Sequence, residues 1–249
     1  MGSRSDHVRV SRDGINFDLD LRDHVEMRIF LHAFDREEVA TLTSYLRPGD
    51  RAIDVGSNIG YYTLHFARAV GAAGEVIAFE PDPRNVERLR ANLALNGFTD
   101  RADVVAAVAT EAAGSMKLFL TTGQGGGNSV YSDLWDTGAS IDCPATTIDD
   151  YCSGHNIDYV RAMKIDVEGH DPAVLRGAAR MLRERRIGVV LIEYCRPWLQ
   201  RTEKEPERFD DPLVSNGYVR VDPVELPDVD NVLNLLYLSP EIVREKALR

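Results

Sequence analysis

The stretch AMKIDVEGHD, residues 162–171, places carboxylates and an imidazole directly behind a short apolar run. Asp166, Glu168 and His170 are residue types that accept or release protons in enzyme sites. Gly169 allows the chain to turn between them. Because a hydroxyl group that attacks an electrophile must lose its proton, this stretch predicts acid–base chemistry at the end of a strand.

The neighbouring residues have structural interpretations. Asp171 directly precedes Pro172, which predicts a helix with Asp171 as its N-cap and Pro172 at its first position. Lys164 points to the opposite side of the strand from Ile165, and we expect it to pair with one of the acids. His170 is either a general base or a solvated histidine in a turn.

Four apolar segments of the sequence end on an acidic residue. These residues are Asp54 in RAIDV, Glu80 in VIAFE, Asp166 in AMKID and Glu193 in VVLIE. Ligands of open parallel sheets bind outside the carboxyl ends of the strands, so we expect the four side chains to converge on one crevice. A carboxylate at a strand end costs stability unless it meets a partner or a ligand. We therefore expect replacement of Asp166 by a neutral residue to leave or raise the thermal stability.

The segment DVGSNIG follows the first of these strands with two glycines, Gly56 and Gly60. Glycine lets the backbone turn sharply and approach a ligand where a Cβ atom would clash. The dinucleotide fingerprint G-x-G-x-x-G would need glycines at positions that hold Asn58 and Tyr61, so pyrophosphate binding fits poorly. A plain turn from strand to helix is the structural alternative.

Glu80 ends the next strand, where an acid suits the ribose hydroxyls of a nucleoside ligand. Such an acid alone would also fit NAD. In combination with DVGSNIG, it favours a cationic cofactor without phosphates.

The N-terminal part of the chain, residues 1–46, predicts a hairpin and helices. Residues 7–20 alternate polar and apolar around Asp13 and Gly14, a pair typical of hairpin turns. The apolar residues that follow recur at helical spacing, with a break that separates two helices.

Residues 50–240 predict the core of a single domain that spans residues 1–249. Apolar strands alternate with helical segments there, which indicates parallel strands joined by crossover helices. The segment 114–132 interrupts the alternation. Its glycine-rich part, Gly123–Ser129, is either a mobile cover over a substrate or a plain surface loop.

The composition restricts the classes of partner. A net charge of −11 disfavours nucleic acids, whose binding draws mainly on Lys and Arg contacts. With no apolar stretch of about 20 residues, we expect no membrane association and a cytoplasmic location. The odd number of cysteines, Cys143, Cys152 and Cys195, predicts buried residues rather than disulfides.

Four segments together resemble the FkbM family of O-methyltransferases: DVGSNIGYYTL, FEPDPRN, NSV and MKIDVEGHDPAVLRGA. The resemblance covers roughly residues 30–195, and KIDVEG is its most specific part. Ser57 stands where alanine is common, and Asp171 where glutamate is common. The resemblance implies a Rossmann-like α/β fold of class I methyltransferases, with a mostly parallel seven-stranded sheet covered by helices on both faces.

It also implies a pocket for S-adenosylmethionine. The loop Gly56–Gly60 would approach the methionine part, Glu80 would hold the ribose, and Ala107 and Val108 would lie along the adenine. Asp54 would orient the loop or the amino group, and Asn85 is either a further contact or a residue on a helix surface. The predicted cofactor-binding residues are Asp54, Gly56, Ser57, Asn58, Gly60, Glu80, Pro81, Ala107 and Asp166.

The implied reaction is methylation of a hydroxyl group on a small-molecule acceptor, a sugar or a natural product. Asp166, His170 and Glu193 are the predicted catalytic residues, because one of them must take the hydroxyl proton. Two carboxylates are a weak metal signal, so we predict no metal ligands, with a magnesium site on Asp166 and Glu193 as the alternative. A non-catalytic S-adenosylmethionine-binding module and an NAD-dependent oxidoreductase are the competing functions, and a homodimer is compatible with the sequence.

Overall fold

The computed structural model describes residues 7–121, 127–132, 137–203, 205–221 and 232–248. The strands are β1 His7–Arg12, β2 Ile15–Asp20, β3 Arg51–Val55, β4 Glu75–Phe79, β5 Ala102–Val105, β6 Val108–Ala109, β7 Gly114–Thr121, β8 Thr137–Thr146, β9 Val160–Ile165, β10 Ile187–Cys195, β11 Val219–Arg220 and β12 Val232–Leu238. The helices are α1 His24–Phe30, α2 Arg36–Tyr45, α3 Tyr61–Val70, α4 Pro83–Leu95, α5 Ile148–Gly154, α6 Asp171–Gly177, α7 Ala179–Arg183, α8 Arg196–Thr202, α9 Asp211–Val214 and α10 Pro240–Ala247, with short 3₁₀ turns at Thr99–Arg101 and Pro206–Arg208.

The central sheet has seven strands in the order β11-β12-β10-β9-β3-β4-β5. Strands β10, β9, β3, β4 and β5 are parallel, whereas β12 is antiparallel to both of its neighbours. Alternate residues of one strand enter opposite cores: Ile53 lies in one buried cluster and Ala52 in the other. The predicted α/β fold, a mostly parallel seven-stranded sheet with helices on both faces, is therefore confirmed.

The N-terminal hairpin forms as predicted and packs against this sheet. Asp13 and Gly14 have positive φ values of 47° and 76°, which suits a two-residue hairpin turn. Phe17 is fully buried in the same cluster as Ala52 of β3. Arg88 of α4 forms an ion pair with the buried carboxylate of Glu26 in α1, which ties this extension to the core.

A separate three-stranded sheet, in the order β6-β8-β7, occupies the region where the sequence alternation breaks. The strand β7 falls in the predicted strand-like run, but β8 was not expected from the sequence. The cysteines at 143, 152 and 195 are buried, as predicted. Among the described helices, none combines the length and the apolar character needed to cross a membrane.

Candidate functional site

A cavity of about 730 Å³ lies at the carboxyl ends of the parallel strands. This volume is within the range of small-molecule sites. Nine of the predicted site residues line it: Gly56, Ser57, Asn58, Glu80, Pro81, Ala107, Asp166, His170 and Glu193. The strand-end acids were therefore correctly expected to share one crevice, with one exception.

That exception is Asp54, which together with Gly60 is absent from the cavity wall. Asp54 is fully buried, and its Oδ2 accepts a hydrogen bond of 2.5 Å from the Thr63 hydroxyl. Gly60 is the N-cap of α3, and a Cβ atom there would lie 2.4 Å from Cδ1 of Leu89. Both residues therefore stabilise the loop from outside the cavity. A role in orienting the loop was expected for Asp54, whereas Gly60 was expected to contact the cofactor.

The loop after β3 is held by the neighbouring strand ends. The backbone N–H groups of Gly56 and Ser57 both donate to the carbonyl of Phe79, at 3.0 Å. A Cβ atom on Gly56 would lie 1.9 Å from the carbonyl oxygen of Asp166. Glycine is therefore required at this position because two strand ends meet, and the expectation that Gly56 also approaches a ligand stays a prediction.

Glu80 is buried and fixes the backbone of the loops that follow β3 and β4. Its Oε2 accepts from the N–H of Asn58 at 2.8 Å, and its Oε1 accepts from the N–H of Asp82 at 2.9 Å. Asn85 lines the cavity and donates its side-chain amide to Oε1 at 3.4 Å, so it is a site residue rather than a helix surface residue. Burial raises the pKa of Glu80 to about 7, and the two backbone N–H groups oppose that effect.

Lys164 lies between the carboxylates, as the sequence predicts. Its Nζ lies 3.0 Å from Oδ2 of Asp166 and 3.9 Å from Oδ1 of Asp54, and it donates to the carbonyl of Gly56 at 3.3 Å. Burial acts to lower the pKa of Lys164, but the charges of Asp166 and Asp54 outweigh it and raise the pKa. Asp166 therefore forms an ion pair with a buried ammonium group. The expectation that its carboxylate lowers the stability because it lacks a partner is wrong.

His170 lines the cavity, but both of its ring nitrogens are engaged. Nε2 lies 2.9 Å from the hydroxyl oxygen of Thr110, and Nδ1 lies 3.1 Å from that of Tyr131. Burial lowers the pKa of His170 to about 4, and the charge of Arg176 acts in the same direction. His170 is thus a neutral, buried residue, and its interpretation as a solvated histidine is excluded.

Asp171 differs from the N-cap that the sequence predicts. Helix α6 begins at Asp171 itself, and His170 holds the cap position. The Asp171 carboxylate turns back and accepts from the N–H groups of Val167 and Gly169, at 3.3 and 3.2 Å. It closes the turn that follows Asp166, because that buried turn leaves backbone donors that need an acceptor.

Glu168 and Glu193 also line the cavity, and each has a buried Oε2 atom that makes no hydrogen bond within the described residues. Burial raises the pKa of both carboxyls well above the ordinary value, and the charge of Asp166 adds to this effect. Glu168 has a φ of 55°, in the left-handed region. Such backbone strain in a non-glycine residue is concentrated at functional sites.

The N-terminal segment forms one wall of the cavity, which the sequence did not indicate. The wall includes Arg28, Phe34, Asp35 and Glu38. The Asp35 carboxylate accepts a hydrogen bond of 3.1 Å from the hydroxyl of Tyr62. The helical spacing predicted these elements, but it carries no signal of which strand end they approach.

The glycine-rich loop falls partly outside the described residues, since 122–126 are not among them. Of the remainder, Gly127, Asn128 and Ser129 line the cavity. The Asn128 amide donates to Oδ2 of Asp82 at 2.7 Å. The described ranges contain no group of three or more His, Cys, Asp or Glu side chains placed to hold a metal ion.

Comparison with known proteins identifies the family of the chain. Residues 54–233 match the family model described as the methyltransferase FkbM domain. The 31-O-demethyl-FK506 methyltransferase FkbM of Streptomyces tacrolimicus is 30% identical over 158 residues, which are 53% of this chain and 60% of that protein. The match thus spans less than two thirds of this relative.

Solved structures share the fold. The methyltransferase FkbM from Methylobacillus flagellatus KT superposes with a TM-score of 0.50 and 18% identity, over 80% of this chain and 50% of that chain. Fibrillarin from Aeropyrum pernix, in complex with natively bound S-adenosyl-L-methionine, has a TM-score of 0.50 and 15% identity, over 95% and 85% of the two chains.

Proposed function

The chain belongs to the FkbM methyltransferase family, and on this premise we propose that it is an S-adenosylmethionine-dependent O-methyltransferase of a small hydroxylated acceptor, a sugar or a natural product. One observation carries the proposal: a single cavity joins the nucleoside-type half, with Glu80 and the loop after β3, to an acidic half at the ends of β9 and β10. A donor and an acceptor can therefore lie side by side.

The residues of the first half fit this cofactor. Glu80 presents a buried carboxylate whose oxygens keep lone pairs for ribose hydroxyls beyond their present hydrogen bonds. Ala107 and Val108 offer an apolar wall for the adenine. When bound, S-adenosylmethionine supplies an electrophilic methyl group on a sulfonium. The protein's main contribution is then to align the acceptor oxygen with that group.

Asp166 is our candidate for the proton acceptor. It lines the cavity beside the loop after β3, and its side chain is 26% exposed. Lys164 forms an ion pair with Oδ2, which leaves Oδ1 for the acceptor hydroxyl. His170 positions the Tyr131 and Thr110 hydroxyls, since both of its nitrogens are engaged.

The acceptor site is bounded by the N-terminal wall and the acids at the ends of β9 and β10. The acidic lining and the net charge of −11 both support a small molecule over a nucleic acid. The residues on this side support an organic acceptor that donates hydrogen bonds, because carboxylates only accept them.

The proposal is tested by incubating the protein with S-adenosylmethionine and hydroxylated metabolites and following the products by mass spectrometry. We expect a gain of one methyl group that resists mild acid and base, as an ether does. Methylation of nucleic acid alone would contradict the proposal. Binding of S-adenosylhomocysteine without turnover of any acceptor would favour the non-catalytic module.

A further inference from the structure

The acidic half of the cavity contains two carboxylate oxygens that lack a donor. Oε2 of Glu168 and Oε2 of Glu193 are both buried and make no hydrogen bond to any described residue. A buried acceptor without a donor is costly, and more so when it is charged. A ligand group that donates to these two atoms would therefore be bound strongly.

The position of this pair in the sheet assigns it to the acceptor. Glu168 follows β9 and Glu193 lies near the end of β10, whereas the loop of Gly56 and Glu80 follow β3 and β4. In the strand order, β9 separates β10 from β3. Glu193 is also paired in register with Asn234 of β12, which lines the same end of the cavity.

The charges around the pair do not balance. Asp166 and Asp171 lie close enough to both glutamates to raise the pKa of each carboxyl further, and Lys164 is the cation that opposes them. Lys164, however, already forms an ion pair with Asp166 and donates to the carbonyl of Gly56. The raised pKa favours the protonated carboxyls in the empty site, so a second positive charge is what would hold both glutamates ionised.

A neutral hydroxyl group cannot supply that charge. It would satisfy one oxygen with a single hydrogen bond and leave the repulsion among the carboxylates unchanged. A protonated amine brings up to three N–H donors and a positive charge, and hydrogen bonds between charged partners are about twice as strong as neutral ones. The indole of Trp198 lines the same cavity, and aromatic faces also attract cations.

We propose that Glu168 and Glu193 form a subsite for a protonated amine of the acceptor, which makes the acceptor an amino alcohol or an amino sugar. This inference rests on the proposed function. It assigns recognition to Glu168 and Glu193 and leaves the proton transfer to Asp166, so the two carboxylate groups have different tasks.

The test uses ethanolamine and ethylene glycol as matched probes, with and without the amine. Each is titrated into the whole protein saturated with S-adenosylhomocysteine, and the indole N–H signal of Trp198 is followed by NMR. A Trp198→Phe variant assigns that signal. We expect a saturable shift with ethanolamine and none with ethylene glycol. Glu168→Gln and Glu193→Gln should each weaken ethanolamine binding about tenfold or more.

Glu37→Gln is the control, because Glu37 is exposed on α2 and is not among the residues that line the cavity. It should bind ethanolamine as the wild type does. Three results overturn the subsite: no saturable shift with ethanolamine, equal responses to both probes, or unchanged binding in the two Gln variants. The titration is repeated with the protein free of S-adenosylhomocysteine. If ethanolamine shifts the signal of the free protein but not that of the saturated protein, the pair binds the cofactor amine, and the proposed subsite is overturned. Failure of S-adenosylhomocysteine itself to bind would instead refute the proposed function.

Discussion

The backbone of Gly56 approaches Asp166 so closely that a Cβ atom at position 56 would lie 1.9 Å from the Asp166 carbonyl oxygen. Gly56 also has a φ of +77°. The two strand ends that border the cavity, β3 and β9, thus meet at a position that tolerates only glycine. The same contact places the loop after β3 beside the carboxylate that we assign as the proton acceptor.

We predict that Gly56→Ala lowers the free energy of unfolding by about 3 kcal/mol or more, because it combines left-handed strain with a clash against backbone. Gly49→Ala is the matched control: its φ is +91°, but nothing lies within 4 Å of the added Cβ. It should cost about 1 kcal/mol. Urea unfolding measures both, and equal losses would mean that the contact of Gly56 with Asp166 is unimportant.

The sequence predicted more of the fold than of the contacts within the site. Strand-end acids follow a local pattern, and Glu80, Asp166 and Glu193 meet in one cavity as expected. Asp54 does not, because its strand is buried on both faces and its side chain pairs in register with Lys164 instead. When both faces of a strand are buried, the alternation of its side chains does not show which face borders the ligand cavity.

The partners of His170 could not be predicted for a related reason. Thr110 lies 60 positions and Tyr131 39 positions away in the sequence. No periodicity links residues at such separations, and only the packing of β6 and of the loop at 127–132 against α6 brings them together. The strand β8 was missed although its partner β7 was recognised, since the pairing of the two is a tertiary contact.

The pH dependence of cofactor binding tests Glu80. Its folded pKa of about 7 lies above the ordinary 4.5, so the carboxyl loses its proton as the pH rises through 7. Because the ionised form is the better acceptor for ribose hydroxyls, we predict that the affinity for S-adenosylhomocysteine increases about tenfold from pH 6 to 8. Glu80→Gln should remove this increase, and Glu80→Ala should weaken binding by about 1.5–3 kcal/mol. An unchanged pH profile in Glu80→Gln would remove Glu80 from the ribose site.

The pH dependence of stability tests His170. Its pKa falls from the ordinary 6.5 to about 4 on folding, so the folded protein binds fewer protons than the unfolded chain in this window. The contribution of His170 to stability should therefore decrease as the pH falls from 6.5 towards 4. We predict that His170→Gln reduces this decrease and that His170→Ala costs about 1–3 kcal/mol, because the Thr110 and Tyr131 hydroxyls lose their partner. His65, whose pKa is also lowered to about 4, acts in the same direction, whereas Glu80, whose pKa is raised to about 7, acts in the opposite direction, so the prediction concerns the difference between the variants and the wild type. Chemical unfolding across this pH range would refute a buried neutral His170 if the variants followed the wild-type slope.

The ion pair of Asp166 and Lys164 makes Asp166→Asn informative in two ways. We predict a loss of about 1–3 kcal/mol in stability, because the variant leaves the buried ammonium of Lys164 with only the more distant Asp54 as a partner. Since the side chain of Asp166 is partly exposed, the loss should be smaller than that for a fully buried ion pair. The double variant Asp166→Asn with Lys164→Met should regain part of this stability.

The same variant tests catalysis once an acceptor is known. Turnover per folded molecule should fall about 10²-fold or more in Asp166→Asn, the range for loss of a general base. Full turnover would leave Asp166 as a purely structural partner of Lys164 and return the catalytic role to Glu193.

The cofactor assignment is tested most directly by calorimetric titration of the purified protein with S-adenosylhomocysteine and, separately, with NAD. Glu80, the loop after β3 and the apolar wall at Ala107 form a nucleoside site, while Asn58 and Tyr61 occupy two positions where a pyrophosphate-binding loop has glycine. We predict saturable binding of S-adenosylhomocysteine, weakened in Glu80→Ala, and no binding of NAD. Binding of NAD, or no heat of binding with S-adenosylhomocysteine in a folded protein, would contradict a methyltransferase site in this cavity.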